Sequence, residues 1–501
     1  MRVSGLSHAE VGTRLLCWRT GAAFLGLALL WGVGGPSVLH AQQWRGRVAT
    51  RVQYVEARGL VLDSVSVDDV TGGKFGDIWV TCTTGEDYCY YYRSGSEFST
   101  VPVFVDLDMN VFALGVEGLR FYASTRFRGA LGANAEKFWP RTEDNFDLLA
   151  AYAELNRPSY RLRLGRDYQS SGLGYYGYDG GSILYRYRPV RLELEAYGGW
   201  GLERGLPERV TSGALKSLGD YQPLDDNYLF GFRGSVGPVK GFSAEAIYQR
   251  EIETDRSGIS SDRLGFEARY TTPNRKWLID AHADYDLAAG WWGKAGAKLG
   301  YQANDMFYLE GRLFRYRPVF SLQSIWVAFS PTPYTGWGFA LGVNPGYGLT
   351  IRAEVDRRQY GDTEAEVPYF TTTDRTWRTG AWARWQPRGK WDVEGGYWLN
   401  WGFGAGMSAG DLKFNYYPRS DLQIGARFSA SQQIWEFRIG ENFIYGLGVD
   451  ARWQTPAGTL WALIEGYKHD RSKDAAQTDW TQLRAVFGIS YYLGSEPGRS
   501  Q

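Results

Sequence analysis

The chain has 501 residues, of which 55 are basic and 55 acidic, so its formal net charge is zero. This balance argues against a nucleic-acid-binding protein, which would carry a clear basic excess. Glycine (64 residues) and aromatic residues (16%) are frequent, which is typical of a β-barrel with aromatic belts, although a secreted polysaccharide-binding β-protein could share this composition.

The first 41 residues have the pattern of a secretory signal peptide. Three arginines precede an apolar core at 21–33, and a small-residue exit ends at Ala41. Cys17 lies before the core, on the wrong side for lipoprotein cleavage. Residues 1–41 hold three arginines and one glutamate, so 52 basic and 54 acidic residues remain. No later segment approaches the roughly 20 apolar residues of a membrane helix, so the exported chain could cross a membrane only as strands.

Two cysteines remain after the leader, Cys82 and Cys89, in the segment VTCTTGEDYCYYY. In an oxidising compartment this spacing predicts a local disulfide that pins a hairpin. A metal site is the alternative, but no histidine lies nearby and the spacing is not C-x-x-C. The pair belongs to residues 58–99, a segment too long for an ordinary turn. We predict that this insertion lies on the outer side and folds over or into the barrel mouth as a constriction.

From about Val101 onward, apolar and polar residues alternate with a period of two. In LRFYASTRFRG, residues 119–129, aliphatic and aromatic side chains fall on one face and three arginines on the other. The same alternation recurs at 190–196, 277–285 and 349–356, and continues to the C-terminus. No window of comparable length has a helical period, so we expect an all-β chain.

The predicted connections alternate between short turns rich in Pro, Gly, Asn and Asp and long polar segments. This rhythm is typical of outer-membrane barrels, with short periplasmic turns and long outer loops. We therefore predict a single transmembrane antiparallel β-barrel of about 22 strands (20 to 24) in the bacterial outer membrane. The alternation slips once between residues 286 and 347. The predicted division is a signal peptide at 1–41, the barrel at 42–493 and a polar tail at 494–501.

A soluble sandwich is the alternative to the barrel. A chain of this length would then split into several domains, and no linker is visible after Val101. Turning an arginine of this pattern toward lipid would cost roughly 2–4 kcal/mol at the midplane, so the charged face is expected to line a watery lumen. Ten residues are the candidates for this inner wall: Arg120, Arg126, Arg128, Arg161, Arg163, Asp106, Asp108, Asp280, His282 and Asp284.

The arginines of this set admit two interpretations. On neighbouring strands they could form a basic wall that selects anionic solutes. Alternatively, nearby carboxylates pair with them and stabilise the inner wall; the candidates are Asp106, Asp108, Glu193 and Glu195. The sequence alone does not choose between them.

The two histidines after the leader, His282 and His469, are weak candidates for catalysis. His282 lies in mid-strand between Asp280 and Asp284, and His469 lies at the base of an outer loop. Neighbours in sequence do not make a catalytic triad. Two histidines do not make a strong metal site, and no glycine-rich loop opens a helix for phosphate. We expect no catalytic residues, metal or cofactor, and no enzyme activity.

The segment LRLGRDYQSSGLGYYGYDGGSILY, residues 162–185, resembles alginate-export-type and related substrate-selective barrels of Gram-negative outer membranes. In that family, a strand ending in Gly-Arg leads through a glycine-rich outer loop to an aromatic-Asp-Gly that opens the next strand. The matching residues are Gly165, Arg166, Tyr178, Asp179 and Gly180. The resemblance implies a porin-like outer-membrane barrel.

These features together favour a porin-like channel for passive or weakly selective diffusion of small polar solutes, with anionic solutes as candidates. One alternative is a structural or adhesive barrel with an occluded lumen; a less favoured one is an outer-membrane hydrolase. The expected partners are outer-membrane lipid and small polar solutes, with a homo-oligomer as a further hypothesis and no nucleic acid.

Overall fold

The structure is a computed structural model that describes residues 43–76, 78–132, 146–204, 227–253, 258–317, 333–361, 375–387, 389–402, 405–433, 442–471 and 478–494. The predicted leader and nearly all of the predicted tail lie outside these ranges. Among the described residues no helix is long and apolar enough to span a membrane.

The described residues form 22 long strands. In chain order these are Gln43–Ser66 (β1), Tyr88–Phe112 (β2), Leu119–Leu131 (β3), Phe146–Asn156 (β4), Tyr160–Ser171 (β5), Gly174–Tyr187 (β6), Leu192–Arg204 (β7), Asn227–Val239 (β8), Phe242–Glu253 (β9), Gly258–Thr271 (β10), Trp277–Asp286 (β11), Trp291–Gln302 (β12), Phe307–Tyr316 (β13), Tyr334–Gly346 (β14), Leu349–Tyr360 (β15), Arg375–Trp385 (β16), Trp391–Gly402 (β17), Ala405–Arg419 (β18), Leu422–Gln433 (β19), Asn442–Thr455 (β20), Gly458–Asp470 (β21) and Trp480–Gly494 (β22).

The sheet closes on itself. Each strand pairs antiparallel with the next one along the chain, and β22 returns to pair with β1. Arg51 of β1 therefore lies opposite Gly488 on one side and Phe104 on the other. A closed sheet leaves no unpaired edge, which is the condition for crossing lipid with strands. The prediction of a single antiparallel barrel with about 22 strands is confirmed.

The two ends of the barrel differ in their connections. One end, the short-turn end, carries ten connections of two to six residues and also holds Gln43 and Gly494. The other end, the long-loop end, carries the longer connections, such as 205–226 and 361–374, together with a few short ones. The four-residue connection at 287–290 belongs to this second end. Successive connections therefore lie at alternate ends of the barrel throughout 286–347. The prediction that this alternation slips once in that range is wrong.

The two faces of the sheet have opposite chemistry. Large apolar side chains are exposed on the outer face, for example Leu164 (72% exposed), Leu313 (65%) and Leu447 (67%). Carboxylates such as Glu154 (1%) and Glu195 (5%) are buried on the inner face. A barrel in lipid with a polar interior requires this arrangement.

Aromatic side chains of the outer face form a belt at each end of the barrel. Paired rings at the short-turn end include Trp277–Tyr301 and Trp391–Tyr416, with ring centroids 4.4 and 4.2 Å apart, and pairs at the long-loop end include Trp200–Tyr228 and Trp377–Trp401, at 6.0 and 5.7 Å. On β16, Trp377 and Trp385 mark the two belts. Eight tilted strand residues rise about 20 Å, close to the apolar band of outer-membrane barrels.

Strands β1 and β2 continue past the wall as a two-stranded ribbon. The pairing of β22 with β1 reaches Val55 and that of β3 with β2 reaches Val101, but β1 and β2 stay paired with each other to Ser66 and Tyr88. We call residues 56–66 and 88–100 the ribbon; its strands are roughly 35 Å long. Most of the predicted 58–99 loop is therefore strand.

The tip of the ribbon, residues 67–87, is held by the predicted disulfide. Cys82 and Cys89 are bonded, which confirms that pairing. Cys89 packs in a small buried cluster with Val65 and Val80. The ribbon is fastened to the wall at its base, where Gln482 Nε2 donates to the carbonyl oxygen of Glu56 at 2.5 Å. Its role as a constriction stays a prediction.

Candidate functional site

The strand register places all ten residues predicted for the inner wall on the same face of the sheet. Asp106 lies directly opposite Arg126, and Glu154 lies between Arg120 and Arg163 on its two neighbouring strands. On the far side of the barrel, His282 lies opposite Glu267 of β10. A role for these residues along a solute path stays a prediction.

The five predicted arginines of this face are in ion pairs. The nitrogen–oxygen distances are 2.8 Å for Arg120–Glu154, 2.6 Å for Arg163–Glu154, 3.0 Å for Arg163–Asp167, 2.6 Å for Arg126–Asp106, 2.5 Å for Arg128–Asp147 and 2.9 Å for Arg161–Glu195. Five arginines thus meet five carboxylates. Of the two interpretations of the sequence, the geometry favours the lattice of ion pairs over an uncompensated basic wall.

Two of the four predicted carboxylates, Glu193 and Asp108, pair with arginines outside the predicted set. Glu193, which was expected to meet the arginines of the predicted set, lies 3.3 Å from Arg186 instead. Asp108 accepts a hydrogen bond from Ser124 at 2.6 Å and lies 3.7 Å from Arg47 of β1. Asp108 therefore belongs to the same lattice through a residue that the sequence did not single out.

Asp280, His282 and Asp284 of β11 border a cleft of about 490 Å³ on the inner face. Asp280 pairs with Arg269 at 3.3 Å, and Asp284 pairs with Arg263 at 2.5 Å. The ring of His282 lies over Gly296, where a Cβ atom would approach it to 2.8 Å. The cleft also contains Glu245, Glu267 and Lys294, so it presents charges of both signs.

His469 has a packing role in the structure. Its ring stacks on Trp480 with centroids 4.5 Å apart, and its Nε2 lies 3.4 Å from Oε1 of Gln482. The residue is buried, at 8% exposure. The neighbouring Ser472 lies outside the described residues.

The hairpin of β5 and β6 leaves the barrel wall on its β5 side. The pairing of β4 with β5 ends at Arg166, whereas β5 and β6 stay paired with each other up to Ser171 and Gly174. The β6 arm also stays paired with the end of β7, where Tyr176 lies opposite Arg204. We call residues 167–178 the lumen hairpin. Its tip reaches the inner face of β9 and β10, where Leu173 packs with Ile247 in a buried cluster. Because β7 and β8 separate these elements in the sheet, the hairpin must lie over the inner face of those two strands, where Tyr197 and Leu229 belong to the same cluster.

The expectation of a glycine-rich outer loop between Arg166 and Tyr178 is therefore wrong. These residues belong to strands β5 and β6, which are joined by only two residues, Gly172 and Leu173. Period-two alternation is weak here because the glycines interrupt it, and glycine clusters usually mark loops. The sequence did contain one sign of a strand here: Tyr176 and Tyr178 are two residues apart, as side chains on one face of a strand are. Both are buried in the structure.

The residues of the family-like motif lie where the hairpin bends. Gly165, Gly180 and Gly199 are directly opposite one another on β5, β6 and β7. A Cβ atom on Gly180 would collide with the backbone of β7, so close backbone approach requires glycine here. On the opposite face, Arg166 donates to both carboxylate oxygens of Asp179 at 2.7 and 2.6 Å. The motif is thus a glycine bend braced by a bidentate ion pair.

No protein-family model and no curated protein matches the chain. Among solved structures it is similar to Pseudomonas aeruginosa OccK8 (OprE), with 11% identity and a TM-score of 0.39 over 90% of this chain and 98% of that one. Acinetobacter baumannii OccAB3 has 11% identity and a TM-score of 0.39 over 90% and 99%. A BenF-like porin from Pseudomonas fluorescens Pf-5 has 9% identity and a TM-score of 0.38 over 91% and 100%. Likeness at this level carries no argument, and the architecture rests on the strand pairing of this chain.

Proposed function

We propose that the protein is a porin-like channel of the bacterial outer membrane that lets small polar solutes diffuse through its lumen. One observation carries this proposal: a closed 22-strand sheet turns apolar side chains outward and encloses a charged face. At ordinary strand spacing and tilt, 22 strands enclose a backbone diameter of roughly 40 Å. The lumen hairpin crosses one side of this space and narrows it.

We further propose that selection by charge is weak. A solute that passes the part of the inner wall formed by β2 to β7 meets arginines that are already paired with carboxylates, such as Arg126 with Asp106 and Arg161 with Glu195. Rings of one sign would select strongly, whereas alternating signs largely cancel along the path. The cleft beside His282 is mixed in the same way.

The test is conductance in planar lipid bilayers. The purified full-length protein, shown to be folded by a heat-dependent shift in a semi-native gel, is expected to produce stepwise channels. A salt gradient is expected to give a reversal potential near zero. A folded barrel that gives no steps would contradict the channel and support the occluded structural alternative. A large reversal potential would contradict weak selectivity only.

The proposed location follows from the same faces. Short turns of outer-membrane barrels face the periplasm, so the ribbon and its tip should lie outside the cell. An outer-membrane hydrolase is the less favoured alternative. A His282→Ala, His469→Ala double variant with unaltered conductance and no change in esterase or protease activity supports the channel over this alternative.

A further inference from the structure

We propose that Arg263 latches the lumen hairpin against the barrel wall and so sets the width of the open path; this inference rests on the proposed channel function. Arg263 lies on the inner face of β10 and is 7% exposed. Its Nη1 donates to the carbonyl oxygen of Leu173 at 2.8 Å and to Oη of Tyr176 at 3.0 Å. One guanidinium therefore binds both the backbone and a side chain of the hairpin.

The guanidinium is itself fixed from the wall. Its Nη2 donates to Oδ2 of Asp284 on β11 at 2.5 Å, and the side chains of both residues are 9% exposed. The other carboxylate oxygen of Asp284 accepts from the backbone N–H of Lys294 on β12. Charge-assisted hydrogen bonds of this kind are about twice as strong as neutral ones. The latch is thus anchored on three wall strands.

An apolar seat beside the latch receives the tip. Leu173 is 5% exposed and packs with Ile247, Tyr176 and Tyr197. The wall residue under it is Gly265, where a Cβ atom would approach Ile247 to 2.8 Å and Leu173 to 3.0 Å. The seat fits the leucine because position 265 lacks a side chain.

The other end of the hairpin is a bend without side chains on its inner face, at Gly165 and Gly180. The β6 arm keeps its pairing with β7 as far as Tyr176, so the loss of the latch frees the tip and the β5 arm, which can shift at the glycine bend. Because the tip lies inside the barrel, this shift changes the width of the open path.

The experiment compares single-channel conductance of the full-length wild type with Arg263→Gln. The matched control is Arg269→Gln, which removes the same charge from the same face of the same strand; Arg269 pairs with Asp280 at 3.3 Å and is 58% exposed in its side chain. We expect Arg263→Gln to change conductance about 1.5-fold or more and to increase current noise, because a released tip no longer holds the open cross-section at one width. Arg269→Gln should not increase current noise, because it removes a luminal charge without removing a contact of the hairpin.

The rate of disulfide formation between two introduced cysteines measures how firmly the tip is held against the wall. A Cβ atom on Gly172 would lie 3.7 Å from Cγ of Glu267, so Gly172→Cys with Glu267→Cys can bridge tip and wall. With Arg263 present this disulfide should form readily. In Arg263→Gln it should form more slowly, and once formed it should restore the wild-type conductance until reductant is added. Wild type with and without reductant controls for Cys82–Cys89.

Each outcome decides one question. Wild-type conductance and wild-type cross-linking in a folded Arg263→Gln variant would overturn the latch. A wild type that gives no channels would overturn the proposed function, while the cross-linking rates still judge the latch. If Arg263→Gln does not fold, Leu173→Ala removes the apolar contact of the tip without a change of charge. It should change conductance and increase current noise, and an unchanged trace would again contradict the latch.

Discussion

Glu154 is the residue on which the inner-wall lattice converges. It is 1% exposed and lies within 2.8 Å of Arg120 and 2.6 Å of Arg163. A carboxylate shared by two guanidinium groups satisfies both at once, and the removal of its charge leaves both with fewer partners. Arg163 keeps Asp167, at 3.0 Å, as its second partner.

We therefore expect Glu154→Gln to shift ion selectivity toward anions. The wall gains one net positive charge where Arg120 loses its acceptor, and the free energy of unfolding falls by about 1–3 kcal/mol for the unsatisfied donors. The measurement is the reversal potential in a salt gradient, with stability from the temperature of the gel shift. Glu117→Gln is the control, because Glu117 pairs with Arg157 on an exposed turn. An equal shift in both variants would contradict a special role for Glu154.

The ribbon is joined to the barrel at its base, and Ser94 farther along it accepts a hydrogen bond from the backbone N–H of Thr478 at 3.4 Å. Its strands pair with each other, and the hydrogen bonds from β22 reach Glu56 at the first ribbon residue. The tip is closed separately by Cys82–Cys89 and the cluster around Val65. Its stability is therefore local, and it can loosen without opening the sheet.

Replacement of both cysteines by serine should leave the barrel folded. A loop this short contributes at most about 2–3 kcal/mol by the chain-entropy model, and that contribution acts on the tip. We expect an unaltered gel shift and faster proteolysis within 67–87 in Cys82→Ser/Cys89→Ser. Bilayer recordings of the same variant test the predicted constriction. A rise in conductance or noise supports it, whereas an unchanged trace assigns the narrowing to the lumen hairpin.

At the scale of the whole molecule, the closed sheet separates two solvents. Leu447 of β20 is 67% exposed near the middle of its strand, between the two aromatic belts. Ser429 of the neighbouring strand β19 lies on the inner face, opposite Asp411 of β18. The same new charge should therefore have different consequences at the two positions.

Leu447→Arg should lower the free energy of unfolding in the bilayer by about 2–4 kcal/mol, because arginine then meets lipid near the midplane. Ser429→Arg should cost far less, since the side chain enters a polar interior beside a carboxylate. Urea titration of the barrel in vesicles gives both values. Equal losses at both positions would contradict the assignment of the faces.

The sequence by itself determined the strands and their faces. Period-two alternation is a local property, readable within one segment such as 119–129, and it needs no knowledge of the neighbours. The separation of apolar from charged residues follows from it, and the Cys82–Cys89 pair follows from local spacing. The rhythm of the connections added the barrel and a strand number of about 22, within 20 to 24, and the strand pairing fixed that number at 22. The slip expected between residues 286 and 347 was wrong; the four-residue connection at 287–290 lies at the long-loop end, and its length alone does not show to which end it belongs.

Only the tertiary structure decided which groups meet. Whether Arg120 faces water or Glu154 depends on the register between two strands, and a shift of one residue would turn every side chain to the other face. The lumen hairpin depends on a contact between Leu173 and Arg263, which lie 90 residues apart. Its glycines indicate a loop when read locally. The closed sheet instead uses them for close backbone approach, where the chain turns from wall into lumen.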